Sequence, residues 1–300
     1  MKFNTKCVHG GGKPDSTGAI SPAIYMSSTF THPGLGETTG FQYTRESNPT
    51  RDRLETLIAG LEEGTDAIAF SSGMAAVDAV FHLFSPGDHV ILGDDLYGGS
   101  IRLFTNIYEK NGVEFTYVGT SDLDAVQAAF KPNTKAVYIE TPTNPMMEIT
   151  DVRALSKMAH DRNALVIVDN TFLSPYFQKP LNLGADIVVH SGTKFIGGHH
   201  DVISGFTIVK DDELAAQLRL IYKTVGACLS AFDSWLVIRG IKTLALRMEQ
   251  HQKNAIAIAE WLKNEPKVTK VLFPGLPEHP GYEINKSQTT GFGGMLSFEV

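Results

Sequence analysis

Three short segments of the chain combine residue types that act together in amine and carbonyl chemistry. The apolar run Ile187 to Val189 is followed by His190, Ser191, Gly192, Thr193 and Lys194, which puts a primary amine just past a strand end. Such an amine can attack a carbonyl carbon and, once released, act as a base. The run Leu165 to Val168 ends in Asp169, Asn170 and Thr171, so a carboxylate stands at a strand rim 25 residues before the lysine, where it can face a ligand without being buried unpaired. Ala67 to Phe70 leads through Ser71, Ser72 and Gly73 to Met74 and a helix-patterned stretch. A helix start offers unpaired N–H groups and a partial positive charge, and a glycine there lets the backbone approach an anion closely. Taken singly, the three have plainer readings: a cap at Ser72, a capping aspartate at 169, a solvated lysine at 194.

The elements decide whether these segments belong together. Short runs at His89 to Leu92, Glu114 to Val118 and Ala136 to Ile139 join the three above, and helix-patterned segments fill most of the gaps. Strands that are apolar throughout and separated by helices argue for a mainly parallel α/β sheet covered by helices on both faces. In such a sheet the loops beyond the carboxyl ends of the strands share one rim, where ligands bind. Residues 1–48, rich in Ser, Thr, Gly and Pro and without a sustained period, read as an irregular N-terminal arm. Pro49 to Glu62 and Met74 to Phe84 read as helices; from Asp211 to about Leu262 the chain is mainly helical, with one long stretch from Ser230 to Trp261. Strand signals at Val268 to Leu272 and Gly294 to Val300 follow. The expected division is therefore an arm (1–48), a large α/β domain (49–243) and a smaller α+β domain (244–300).

Composition narrows the partners. With 42% apolar and 20% charged residues the 300-residue chain is neither disordered nor fibrous. Its 26 basic against 33 acidic side chains give 26 − 33 = −7, the wrong sign for a nucleic-acid face and compatible with a small-molecule partner. Cys7 and Cys228 make no disulfide framework and suit a reducing compartment; the start MKFNTKCVHGGG lacks the apolar core of a signal peptide, and no apolar run reaches the roughly 20 residues of a membrane span. A cytoplasmic protein is expected.

On one rim, an anion-binding helix start, a carboxylate and a lysine among Ser and Thr hydroxyls are the equipment for pyridoxal phosphate. The phosphate needs N–H and hydroxyl donors, the pyridine nitrogen a carboxylate, and the aldehyde an amine. Other classes have weaker claims. Ser191-x-x-Lys194 matches serine acyl-enzymes, but their companions Ser-Asp-Asn and Lys-Thr-Gly do not occur. His190, His199, His200 and Asp201 could serve a metal-dependent hydrolase, although adjacent His199 and His200 are awkward ligands for one ion. A nicotinamide fold would need Gly-x-Gly-x-x-Gly, and Ser71 to Ala76 supplies one glycine.

The segments TGAISPAIYMSSTF, YTRESNPTR, FSSGMAA, LYGGS, ETPTNP, VDNTF, HSGTKFIGGHHDVISG and DSWLVIRGIKTLALRME, with PGLPEHPGYE before GFGGMLSFEV, stand in an order that resembles the γ-subfamily of pyridoxal-phosphate enzymes of cysteine and methionine metabolism, nearest the bacterial cystathionine β/γ-lyases. The resemblance runs through essentially the whole chain. It implies the aminotransferase-like fold type I and a carbon–sulfur lyase acting on cystathionine or a related amino acid, with γ-synthase and methionine γ-lyase as alternatives. It also implies that Lys194 bonds the cofactor, that Asp169 pairs with its ring nitrogen and that Tyr97 stacks on the ring, these three being the candidate catalytic residues. Asn144 would lie near the ring hydroxyl and Thr171 beside Asp169. Ser72, the Gly73 and Met74 amides and the Ser191 and Thr193 hydroxyls would hold the phosphate. Tyr43 and Arg45 would reach the phosphate of a neighbouring subunit, which makes the protein a homo-oligomer, at least a dimer with shared sites and expected as a tetramer. Three departures stand out. Gly192 replaces the usual alanine, which is expected to loosen the lysine loop. Gly98 and Gly99 follow Tyr97 where methionine γ-lyases usually carry a cysteine. The family arginine that binds the substrate carboxylate belongs to a region beyond Val300, so the chain reads as an incomplete one.

Overall fold

A computed structural model describes residues 1–12 and 16–300. In chain order the helices and strands are α1 (Phe3–His9), α2 (Pro49–Glu62), β1 (Asp66–Phe70), α3 (Gly73–Phe81), β2 (His89–Gly93), α4 (Gly98–Leu103), β3 (Glu114–Val118), α5 (Leu123–Ala129), β4 (Thr134–Glu140), α6 (Val152–His160), β5 (Leu165–Asp169), α7 (Ser174–Phe177), β6 (Ile187–Ser191), β7 (Gly205–Val209), α8 (Asp212–Val225), α9 (Ala231–Ile241), α10 (Leu244–Leu262), β8 (Lys270–Leu272), α11 (Tyr282–Gln288) and β9 (Ser297–Glu299). A seven-stranded sheet has the order β1-β7-β6-β5-β4-β2-β3, and β8 and β9 form a separate antiparallel pair. The pairs β2/β3, β2/β4, β4/β5 and β5/β6 are parallel, whereas β1 and β7 run antiparallel. The expected mainly parallel α/β sheet is thus present, and the chain divides into two compact units, residues 1–83 with 190–245 and residues 84–189 with 246–300.

In the first unit α2 is started by Asn48, whose side chain accepts from the Thr50 amide at 2.9 Å, and by Pro49 at the first helical position. Leu54, Leu57, Ile58 and Leu61 recur at helical spacing and are buried. Arg219 of α8 ties this unit together. It forks onto both Asp66 oxygens at 2.9 and 2.6 Å, reaches Glu55 of α2 at 2.8 Å and donates to the Ala67 carbonyl at 2.8 Å.

In the second unit β2, β4 and β5 carry wholly apolar central residues, including Val90, Ile91, Val137, Ile139, Val166 and Ile167, all buried. Phe104 packs edge-on against Tyr138 of β4, with ring centroids 5.6 Å apart. A satellite cluster of Ala255, Ala259, Phe273 and Leu276 underlies the β8/β9 part.

Three local features differ from the sequence-based expectation. The arm opens with a helix, α1, whose Cys7 is buried; residues 13–15 of the arm lie outside the described residues. Gly205–Val209 forms β7, a fully buried strand that the glycine-rich lysine loop had masked in the sequence. The helical stretch from Ser230 is broken between α9 and α10, where the Thr243 amide and hydroxyl both turn back to the Gly240 carbonyl, at 3.2 and 3.1 Å.

Candidate active site

Within the first unit the expected phosphate side assembles at the ends of β1 and β6. Ser72 caps α3, its Oγ accepting from the Ala75 amide at 3.0 Å, and the Ala76 amide bonds the Ser72 carbonyl at 3.1 Å. The Gly73 and Met74 amides, the first two of the helix, make no hydrogen bond among the described residues. A Cβ placed on Gly73 would stand 2.9 Å from the Ser191 Cβ and 3.1 Å from its Oγ, so only glycine lets the helix start lie against this hydroxyl. A Cβ on Gly205 would lie 2.1 Å from the Ser72 carbonyl oxygen, which is how closely β7 underlies the same turn. Two open amides beside a serine hydroxyl, in a cradle that side chains would fill, suit a phosphate.

The lysine loop is closed on itself. The Gly197 amide bonds the Gly192 carbonyl at 2.8 Å and the Gly198 amide the Lys194 carbonyl at 2.9 Å. Thr193 Oγ1 donates to the Ser204 carbonyl at 3.2 Å and accepts from the Ser204 amide at 3.1 Å, so a phosphate contact from Thr193 would exchange the first of these bonds. Lys194 is exposed, and its Nζ has no hydrogen bond or ion pair among the described residues. The loop is packed rather than loosened at Gly192, where a methyl would meet Phe206 Cε2 at 2.3 Å and Ser204 Oγ at 2.4 Å. His190, just before it, is buried, with Nε2 2.5 Å from Glu62 Oε1. Tyr43 and Arg45 come together in the arm. The Arg45 guanidinium lies 5.3 Å from the Tyr43 ring centroid and donates to the Lys223 carbonyl at the end of α8.

Within the second unit the expected ring side gathers at the ends of β2, β4 and β5. Asp169 closes β5. Its Oδ1 accepts from the Thr171 amide at 3.0 Å and the Thr171 hydroxyl at 2.6 Å, and its Oδ2 from the Tyr138 hydroxyl at 3.4 Å. These three donors fix the orientation of the carboxyl group. Tyr97 precedes α4 with half of its surface exposed (51%), and its amide donates to Glu140 Oε2 at 3.1 Å. Asn144 is exposed in the turn after β4, and the Met146 amide two residues on is anchored to Asp95 at 2.9 Å.

Sequence reasoning passed over Glu140 and Tyr138. Glu140 is buried and its carboxyl is pushed up to about 9, chiefly by burial and then by the charge of Asp169, against the pull of the Tyr97 amide. Burial and the same aspartate raise the Tyr138 phenol well above its ordinary range. The signal was there in principle: Glu140 and Asp169 each follow an apolar run directly, and adjacent parallel strands set them side by side. Among the described residues no three His, Cys, Asp or Glu side chains converge as metal ligands; His199, His200 and Asp201 are exposed, and His199 Nδ1 bonds the Gly197 carbonyl at 2.9 Å.

The model of a family described as Cys/Met metabolism PLP-dependent enzymes matches residues 4–300. The chain belongs to this family. Its cofactor is pyridoxal 5'-phosphate, which the open amides, the Asp169 carboxyl group and the exposed Lys194 amine suit chemically. A cystathionine beta-lyase of Lactococcus lactis subsp. cremoris is 51% identical over 299 residues, covering 99% of this chain and 79% of the relative. A cystathionine gamma-lyase of Bacillus subtilis is 50% identical over 301 residues, covering 100% and 79%. The crystal structure of a cystathionine gamma-lyase from Lactobacillus plantarum complexed with L-serine superposes with a TM-score of 0.98 at 50% identity, over 100% of this chain and 79% of that one.

Proposed function

We propose that the protein is a carbon–sulfur lyase that cleaves cystathionine or a related sulfur amino acid by α,β- or α,γ-elimination. Its similarity over nearly the whole chain to a cystathionine beta-lyase and a cystathionine gamma-lyase supports this reading. The observation that carries it is Asp169, a strand-end carboxylate that takes three hydrogen bonds from Thr171 and Tyr138 in a chain of a pyridoxal-phosphate family. The bound cofactor supplies an electron sink for the electrons left at the substrate α-carbon, and a negative Asp169 favours the protonated pyridine that such a sink needs. Lys194 Nζ would hold the cofactor and, once free, would take the substrate α-proton as general base. For γ-elimination the same amine would remove a second proton at the β-carbon. The Gly73 and Met74 amides with the Ser72, Ser191 and Thr193 hydroxyls would bind phosphate, Tyr97 would stack on the ring, Asn144 would meet the ring hydroxyl, and Thr171 would orient Asp169. Tyr43 and Arg45 would serve the phosphate of a second copy, in a dimer that pairs further into a tetramer; their exposure and mutual stacking in the arm support that role.

That neither Cys7 nor Cys228 forms a disulfide among the described residues supports a cytoplasmic setting; among the described residues no helix is long and apolar enough to cross a membrane. The division into an arm (1–48), a cofactor-binding domain (49–243) and a C-terminal α+β domain (244–300) is part of the same proposal, with the separate β8/β9 pair in its favour.

The test is a steady-state assay of the purified yellow protein with cystathionine. Pyruvate is the expected product of β-elimination and 2-oxobutyrate of γ-elimination. A cofactor-loaded protein that releases neither would overturn the proposal.

A further inference from the structure

Glu140 belongs to no role assigned above, yet it bonds one group that has one, Tyr97, and stands opposite another, Asp169. It ends β4 at the register position opposite Asp169 on the neighbouring parallel strand β5. Opposite residues of adjacent strands point to the same face, with Cβ atoms roughly 5 Å apart. Tyr138 lies two residues earlier on β4 and so shares that face; its hydroxyl reaches Asp169 Oδ2 and is itself hydrogen-bonded by the Ser100 side chain. Two carboxyl groups therefore sit side by side with unequal support. Asp169 receives the Thr171 amide, the Thr171 hydroxyl and the Tyr138 hydroxyl, while among the described residues Glu140 receives the single amide of Tyr97.

The charges facing Glu140 are Asp169 from β5 and Asp95 from the segment before α4, both negative, with the neutral Tyr138 phenol beside it on its own strand. Two like charges at this separation in a buried place do not both persist, and the proton goes to the group with fewer donors. Glu140 is only 7% exposed.

We propose that Glu140 is a positioning residue that works as an uncharged carboxylic acid: its carbonyl oxygen fixes the Tyr97 amide, and its proton leaves Asp169 as the charged member of the strand-end pair. The proposal rests on the reading of Tyr97 and Asp169 as the ring-stacking and ring-nitrogen partners, and adds to it what sets their orientation and charge. The carboxyl's rise to about 9 agrees with this protonation, and it is the burial and the negative neighbours that cause it.

The experiment compares Glu140→Gln with Glu140→Ala. Glutamine keeps a neutral group with a carbonyl acceptor; alanine removes the acceptor. In the cofactor-free wild type at pH 7 the infrared spectrum should contain a protonated-acid carbonyl band that Glu140→Gln abolishes. Hydrogen exchange at the Tyr97 amide should be faster in Glu140→Ala and near wild type in Glu140→Gln. In the loaded enzyme Glu140→Ala should lower kcat by about 10- to 100-fold, the loss typical of a reacting surface misplaced by about 1 Å, and Glu140→Gln should recover most of it. A wild type without the band, or a glutamine variant that falls as far as alanine, would overturn the proposal, because either result means that the site needs Glu140 charged or does not need it. Asp169→Asn separates this from the functional reading. If that variant keeps turnover, the reading of Asp169 fails, while the infrared and exchange results still judge Glu140 on their own.

Discussion

Two buried glutamates, one in each compact unit, show how differently the same side chain can be housed. Glu55 and Glu140 are both pushed toward the protonated form by burial. Glu55 is met by the Ala69 amide at 3.0 Å and by two guanidinium groups, Arg219 at 2.8 Å and Arg51 at 3.7 Å, which pull it back toward the anion. Glu140 has an amide and two further carboxylates, Asp169 and Asp95, for company. A charge compensated on all sides braces the fold. A set of carboxyl groups without a cation is costly for stability and is retained where chemistry needs it, so the contrast separates scaffold from site without reference to any relative.

The largest test of that contrast is Lys194→Ala. Among the described residues the amine has no ion-pair partner, so removing it should cost about 10⁴-fold or more in turnover while the thermal transition stays in place, since base and bonding nucleophile go together. Borohydride reduction of the wild type followed by peptide mapping should label Lys194; a label on Lys179 or Lys210 would refute its role. Next comes Asp169→Asn, which keeps shape and loses charge. Turnover and α-proton exchange should fall by about 10³-fold with circular dichroism unchanged, and unaltered exchange would mean that the anion at this strand end serves another purpose. Arg219→Ala strikes the compensated side instead. It should lower stability by about 2–3 kcal/mol, below the full value for a buried pair because about a third of the Arg219 side chain meets solvent, and leave activity per folded molecule intact.

The smallest effect is in pH. Glu55 and Glu140 have folded-state values raised above the ordinary 4.5, so the native state holds more protons than the unfolded state between 4.5 and each raised value. Their contribution to stability is full below about 4.5 and is lost as pH rises, for Glu140 up to about 9. Melting temperatures of the cofactor-free protein should fall across that window, with a slope below about 1.4 kcal/mol per pH unit for each group, and Glu140→Gln should flatten the decline. Equal slopes in the two proteins would contradict the assignment of an uncharged Glu140.

Much of this was legible in the residues. The strands read from apolar runs match the structure to within a residue or two, because β1, β2, β4, β5 and β6 are buried and leave little room for polar side chains. The candidate residues at strand ends followed from that. What stayed hidden needed three-dimensional adjacency. Gly205–Val209 looked like the tail of a glycine-rich loop, since its partner β1 lies well over a hundred residues away. The α9/α10 break falls at Lys242 and Thr243, neither of which is a helix breaker. The α1 helix is short and has no side-chain cap to announce it. Glu140 gained its meaning from its register with Asp169, which no spacing along the chain encodes.

The antiparallel pairing of β1 with β7 also governs how the molecule comes into being. Asp66 pairs with Val209, so the strand made early on the ribosome waits for its neighbour while all of residues 84–189 are synthesised. At ordinary translation speeds that interval is roughly 5–20 s. During it, Ala67 to Phe70 is an apolar strand with an open edge, the kind of segment that pairs with other chains. Slowing translation between codons 84 and 189 therefore lengthens the exposure of that edge, and the yield of native protein depends on a stretch that contributes nothing to the pairing itself.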